Sequence, residues 1–196
     1  MENILDKILI ESLEDAVNRS EDIWKGSVFH KLLPLSSDER GRWGEDYFHR
    51  LMTEHTPYKV EWDGDSNTEP EDGIYDMKIT HINSLRTELK TAMKGTKNNS
   101  WQHDVIKEEE FFDRLVFLDL KPEGIIQITV IKNTEMVYGT RHPIFEKKSS
   151  PCKGGWKFDM SNATLRKGIN AGLTYIHDLK KPNNTELSTF LSRHFA

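Results

Sequence analysis

The sequence predicts an α/β or α+β domain in which helices flank a central mixed β-sheet. Segments with helical apolar spacing lie towards both ends of the chain, and several short runs of alternating apolar and polar residues lie between them. A chain of 196 residues has the length of a single domain. Helices, then strands, then helices is the order expected for one sheet with helices packed against it.

Periodicity and capping predict the elements of the N-terminal part. Residues 3–18 have helical apolar spacing, and residues 27–33 form a short helix that ends in a turn near Pro34. Ser36 or Ser37 is a good N-cap for a second helix because acidic residues follow it. Residues 58–62 alternate as a strand does, and residues 63–73 are a polar, acidic loop.

Two strand-like runs joined by a short polar turn form a hairpin over residues 75–92. The following stretch, up to residue 112, is expected to be a loop and then a helical turn. Residues 114–120 and 124–131 are two further strands joined by the turn "KPEG".

The C-terminal part is expected to hold one strand and two helices. "GWKFDM" forms the last predicted strand. Ser161 or Asn162 then caps a helix that runs to about Tyr175, and residues 183–195 form a final helix.

Composition excludes several classes of protein. No stretch is apolar for the roughly 18 residues that a membrane helix needs, and the acidic N-terminus lacks the features of a signal peptide, so a cytoplasmic location is expected. The single cysteine, Cys152, forms no internal disulfide. A net charge of −5 disfavours coating of nucleic acid by bulk charge. It permits a DNA enzyme with local basic clusters, such as "KTAMKGTK" and "KKSSPCKGGWK".

The predicted hairpin carries an unusual set of charges. Side chains alternate between the two faces of a strand, so Asp76 is on the face opposite Met77 and Ile79, and Glu88 shares one face with Lys90. In a simple hairpin, Asp76 and Glu88 lie close enough to bind one divalent ion. Carboxylate oxygens are hard ligands that suit Mg²⁺, and a lysine beside the ion can orient the attacking water or stabilise a phosphorane-like transition state. An exposed ion pair on a solvated strand is the structural alternative.

Asp76, a short hairpin and then Glu88-Leu89-Lys90 resemble the signature of the PD-(D/E)XK nuclease superfamily. "GRWGEDYFHRLM" is similar to the N-terminal helix of that family, and Gln102 matches a glutamine that often follows the lysine. The element that usually precedes the first acid is absent, since Tyr75 precedes Asp76, and Asp72 is a rival for that acid. The resemblance spans roughly residues 44–130.

The resemblance implies a restriction-endonuclease-like core and a set of site residues. It implies catalytic roles for Asp76, Glu88, Lys90 and Glu45. Magnesium, for which manganese would substitute, would be held by Asp76, Glu88 and the main-chain carbonyl of Leu89. One nuclease domain is expected, with an N-terminal helical part over residues 1–40, the catalytic core over 41–132, and a C-terminal part over 133–196 that serves DNA recognition or dimerisation.

Small size favours the Type II restriction class, in which a homodimer cuts double-stranded DNA at a specific sequence and each subunit cuts one strand. The expected DNA contacts are Gln102, Trp101, Lys94, Lys97, Lys153 and Lys157. A repair or recombination nuclease that recognises DNA structure is the alternative within the same superfamily. A catalytically silent DNA- or protein-binding protein is the alternative outside the enzymes.

Overall fold

The computed structural model describes residues 23–62, 75–95, 99–106, 111–135 and 156–196, together with Ser12 and Glu14, which are helical. The rest of the predicted helix over residues 3–18 and the predicted acidic loop lie outside the described residues. None of the described helices is both long and apolar enough to cross a membrane.

The described elements are eight strands and three α-helices, with short 3₁₀ turns at His30–Leu32 and Asn133–Glu135. In chain order they are α1 (Ser37–His55), β1 (Lys59–Trp62), β2 (Met77–Thr80), β3 (Ser84–Met93), β4 (Ser100–Ile106), β5 (Arg114–Lys121), β6 (Ile125–Lys132), β7 (Trp156–Ser161), α2 (Asn162–Asn170), β8 (Thr174–Asp178) and α3 (Asn184–Phe195).

A six-stranded mixed sheet organises the fold, in the order β1-β2-β3-β5-β6-β8. The β3–β5 pair is parallel and the other pairs are antiparallel. Strands β4 and β7 form a separate two-stranded antiparallel ribbon. The predicted mixed sheet with flanking helices is therefore confirmed.

Two hydrophobic cores lie on opposite faces of the main sheet. The larger core joins α1 and α3 to the sheet through fully buried side chains such as Phe48, Met52 and Phe195. The smaller core lies beneath the ribbon and α2, and contains Trp101, Phe117 and other buried side chains. The sheet thus separates a helical layer from a ribbon layer.

Helix α1 begins where its sequence predicts. Ser36 is the N-cap: the Glu39 main-chain N–H donates to Ser36 Oγ at 3.2 Å, and the Ser36 N–H donates to Glu39 Oε2 at 2.8 Å. These hydrogen bonds lower the pKa of Glu39. Reciprocal capping satisfies main-chain donors that the first turn otherwise leaves without partners.

A glycine sets the distance between α1 and β3. A Cβ at Gly44 would lie 1.8 Å from Thr91 Oγ1, so only glycine allows this approach. The contact places the next residue of the helix, Glu45, near the middle of β3.

Two predictions of local structure are wrong. Residues 100–106, expected to be part of a loop that leads into a helical turn, form β4, because Trp101 and His103 are buried while Gln102 and Asp104 are exposed, which is the alternation of a strand. The helix after Ser161 ends at Asn170 rather than near Tyr175. Gly172, at φ +70°, turns the chain into the unexpected strand β8.

Candidate active site

A cleft of about 470 Å³ opens beside β3 at the point where β2 begins. Helix α1 and strands β3 and β4 contribute most of its wall. The lining residues are Ser37, Asp38, Gly41, Glu45, Asp76, Leu89, Lys90, Thr91, Gln102, His103 and Asp104.

The hairpin brings the predicted site residues together. The Asp76 N–H donates to the Thr87 carbonyl at 3.1 Å, which carries the β2–β3 pairing one residue beyond β2. The Leu89 N–H donates to Asp76 Oδ2 at 2.6 Å, so the Asp76 carboxylate is held against the backbone of β3. Asp76 therefore lies directly beside the segment Glu88–Lys90.

Glu88 and Lys90 form an ion pair along one face of β3. Lys90 Nζ lies 2.7 Å from Glu88 Oε1. The Glu88 side chain is fully buried and that of Lys90 is 23% exposed. This burial argues against a solvated, purely superficial ion pair, because taking a carboxylate out of water is costly without a specific partner.

The surroundings of Asp76 shift the pKa of its carboxyl group strongly upward. Burial first, then the neighbouring Glu88 carboxylate and, to a smaller extent, Glu45 raise the pKa of Asp76, which reaches about 7. The Leu89 hydrogen bond and the Lys90 ammonium oppose this rise. Carboxylates that repel each other in a partly buried site form a place where a cation would be stabilised.

The donor set fits a hard divalent cation. Asp76 and Leu89 line the cleft, and Glu88, whose side chain is fully buried and does not line the cleft, lies beside Asp76. Within the described ranges, no group of three or more histidine, cysteine, aspartate or glutamate side chains is arranged to hold a metal. Two carboxylates and a carbonyl suit Mg²⁺, which keeps several waters and adds substrate oxygens.

Glu45 also lines the cleft, where two side chains donate hydrogen bonds to its carboxylate. Its side chain is 16% exposed. Its Oε2 accepts hydrogen bonds from the Trp62 indole N–H and the Arg42 guanidinium, each at 3.1 Å. Among the described contacts, Trp62 and Arg42 therefore hold the Glu45 carboxylate at the edge of the cleft.

The predicted DNA contacts other than Trp101 differ in their exposure and in whether they line the cleft. Gln102 is exposed and lines the cleft, and Lys157 is exposed on β7. Lys94 is half-buried just after β3 and does not line the cleft. Lys97, Lys153 and the rival acid Asp72 lie outside the described residues.

The prediction that Trp101 contacts DNA is wrong. The Trp101 side chain is fully buried in the smaller core, and its indole N–H donates to the Leu120 carbonyl at 2.7 Å. No face of the ring is open to a base. Polar neighbours on both sides suggested exposure, but those neighbours point to the other face of β4.

Sequence reasoning missed a buried pair next to the cleft. His103 Nε2 and Asp119 Oδ1 share a hydrogen bond of 2.9 Å, and both side chains are fully buried. Burial raises the pKa of Asp119, and His103 opposes that rise. The alternation of β4 was the signal that could have placed His103 on the inner face.

No protein-family model matches this chain, and no curated protein matches its sequence. Among solved structures, the chain resembles a bacterial homing endonuclease, I-Ssp6803I, with a TM-score of 0.39 and 14% sequence identity. The match covers 50% of this chain and 70% of that one.

Proposed function

We propose that this protein is a magnesium-dependent endodeoxyribonuclease that hydrolyses phosphodiester bonds of double-stranded DNA. The convergence of Asp76, Glu88 and Lys90 on one hairpin beside a cleft is the observation that carries the proposal. Such a grouping destabilises the folded state, because it places two carboxylates close together in a partly buried site. A site for metal-assisted phosphate chemistry explains why these residue types occur there.

Each residue has a distinct role in the proposed reaction. Asp76, Glu88 and the Leu89 carbonyl would hold the cation, which when bound would neutralise charge on the scissile phosphate and lower the pKa of the attacking water. Lys90 lines the cleft, where its ammonium would orient that water or stabilise the charge that develops on the phosphoryl oxygens. Glu45, held by Trp62 and Arg42, would act as a supporting carboxylate on the helix side.

The finer class that we propose is a sequence-specific Type II restriction endonuclease acting as a homodimer. One cleft per chain cuts one strand, so a double-strand break needs two chains or two events. Lys157 is exposed on the ribbon near the cleft and is suited to a phosphate contact, as Lys94, Lys97 and Lys153 would be. Magnesium would be the native ion, and manganese would substitute for it.

Digestion of a plasmid of known sequence by the purified chain tests the proposal. We expect cleavage in MgCl₂ or MnCl₂ and none in EDTA. Asp76→Ala and Glu88→Ala should abolish cleavage while DNA binding in CaCl₂ survives. Asp46→Asn, which removes an exposed helical carboxylate paired with Arg50, is the matched control and should cut normally.

The pattern of products separates the classes. Discrete bands support the restriction class, whereas cutting only at junctions or flaps replaces it with a structure-specific nuclease. A wild-type chain that binds DNA but never cuts in either metal refutes the enzymatic proposal. Wild-type rates for Asp76→Ala would remove Asp76 from the site, and an equal loss for Asp72→Ala alone would assign the first acid to Asp72.

A further inference from the structure

Hydrogen bonds hold strand β4 against the main sheet on both sides of Gln102. On one side, the Trp101 indole N–H donates to the Leu120 carbonyl at 2.7 Å. On the other, His103 shares its 2.9 Å hydrogen bond with Asp119, and its ring stacks on Phe117 with a centroid distance of 4.1 Å. The residues before and after Gln102 are therefore fixed by buried polar contacts to β5.

Gln102 points away from these fixed neighbours and into the cleft. Its side chain is exposed and lines the same cleft as Asp76 and Lys90. The carboxamide makes no hydrogen bond to any residue that the structure describes. Because the backbone on both sides of Gln102 is fixed and its amide donors and acceptors are free, the side chain is suited to recognise a ligand, and only its own rotamer freedom is lost on binding.

The buried pair is a costly way to fix a strand by packing alone. His103 and Asp119 are both fully buried, and within the described part of the chain His103 Nδ1 and Asp119 Oδ2 have no hydrogen-bond partner. Polar atoms that are buried without partners destabilise the folded state. A hydrophobic pair could fill the same space but could not form a directional hydrogen bond. We therefore attribute to the His103–Asp119 pair the setting of the orientation of β4.

We propose that Gln102 reads the major-groove edge of an adenine next to the scissile phosphate, and that the His103–Asp119 pair positions it. This inference rests on the proposed DNA cleavage at this cleft. A glutamine carboxamide pairs bidentately with adenine N6 and N7, since it donates to N7 and accepts from the N6 amino group. His103 and Asp119 are positioning residues, since both are buried and act through the orientation of β4.

A library of duplexes randomised around the cut site tests the base contact. Single-turnover cleavage by the full chain, followed by sequencing of the ends, should show an adenine preference of about 10-fold or more at one fixed position. Gln102→Ala should reduce that preference to less than about twofold and leave the other positions unchanged. Gln102→Glu should shift the preference at that position to cytosine, whose N4 amino group donates to a carboxylate.

Lys157→Ala is the matched contrast. Lys157 is exposed on β7, the strand that pairs with β4, and would contact only phosphate. Its loss should therefore weaken cleavage of all sequences equally. If Gln102→Ala behaves in this uniform way, or if the wild-type preference at that position is not for adenine, the base-reading role is overturned.

A binding arm separates this inference from the proposed enzyme activity. The same library is selected by binding to the wild-type chain in CaCl₂, without cleavage. An adenine preference that disappears in Gln102→Ala upholds the inference even if the chain never cuts. Absence of any Gln102-dependent preference in both arms overturns the inference, and cleavage in the first arm then leaves the nuclease proposal intact.

Variants of Asp119 test the positioning role. Asp119→Asn keeps an acceptor for His103 and should retain the adenine preference, whereas Asp119→Leu removes the acceptor and should reduce the preference severalfold. Thermal melting confirms that each variant is folded, and His103→Phe, which removes the hydrogen bond but can keep the stacking on Phe117, replaces Asp119→Leu if the latter does not fold. A folded variant that lacks the hydrogen bond but keeps the full preference shows a purely structural pair and refutes the positioning role.

Discussion

Replacing Asp76 with asparagine should stabilise this protein above neutral pH, although it removes a residue of the candidate active site. Asparagine keeps the size of the side chain and an oxygen that can accept the Leu89 N–H. It removes the charge that burial and Glu88 disfavour. The change therefore isolates the electrostatic cost of the site.

The expected gain in the free energy of unfolding follows from the pKa of Asp76. Because the folded chain holds this proton up to about pH 7 and the ordinary pKa is 3.8, the folded state binds more protons than the unfolded state between these values. Stability from this group is thus fully present below pH 3.8 and is lost as the pH rises through 7. At about 1.4 kcal/mol per pH unit, the whole window corresponds to an upper limit of about 4 kcal/mol. We expect about 2–4 kcal/mol to be recovered by Asp76→Asn at pH 8.5.

Urea unfolding at pH 4.5 and pH 8.5 in EDTA measures this effect. With a slope of about 2 kcal/mol/M, the midpoint of Asp76→Asn should exceed that of the wild type by about 1–2 M at pH 8.5, and by much less at pH 4.5. Asp46→Asn, the exposed control, should show no such pH-dependent gain. MgCl₂ should stabilise the wild type more at pH 8.5 than at pH 4.5, and should stabilise Asp76→Asn little at either. A midpoint for Asp76→Asn equal to or below wild type at pH 8.5 refutes the reasoning.

Three further substitutions test the site and its support. Lys90→Met should lower the single-turnover cleavage rate by about 10² to 10³-fold in protein shown to be folded by circular dichroism, and a rate within about threefold of wild type would exclude the catalytic role. Glu45→Gln keeps an acceptor for the Trp62 indole, so melting should change little while cleavage falls by about 10-fold or more; full activity would make Glu45 an ordinary helical acid. Gly44→Ala should lower the free energy of unfolding by about 1–3 kcal/mol or more, because its Cβ would overlap Thr91, whereas Gly41→Ala on the same helix meets nothing within 4 Å and should cost nothing. Equal melting temperatures for the two glycine variants would contradict the close approach of α1 and β3.

The hairpin and the central strands could be predicted from the sequence because their information is local. Met77 and Ile79 alternate with polar residues and are fully buried in the larger core, as period-2 spacing predicts. Ser36 caps α1 through contacts within four residues. The placement of Asp76 beside Glu88 follows from the same local pairing, since a short turn fixes the hairpin register.

Other features depended on residues that are distant in the chain. Strand β4 owes its form to β7, whose paired residues lie fifty or more positions away, so propensity alone favoured a loop. Strand β8 pairs with β6, from which β7 and α2 separate it along the chain. Trp101 and the His103–Asp119 pair were misjudged or missed for the same reason, because the smaller core that buries them exists only after the ribbon has folded over the sheet.

The contact of Gly44 with Thr91 makes the helix side of the cleft less tolerant of sequence change than the ribbon side. On the helix side, any side chain at Gly44 would separate α1 from β3, so the spacing between Glu45 and the residues beside Asp76 tolerates no gradual adjustment. On the ribbon side, outward-facing positions of β4 alternate with buried ones and can change without disturbing the core. Under the proposed function, related chains that recognise different targets should therefore differ first along the ribbon and keep the helix wall unchanged, so that one candidate site would be combined with many recognition surfaces.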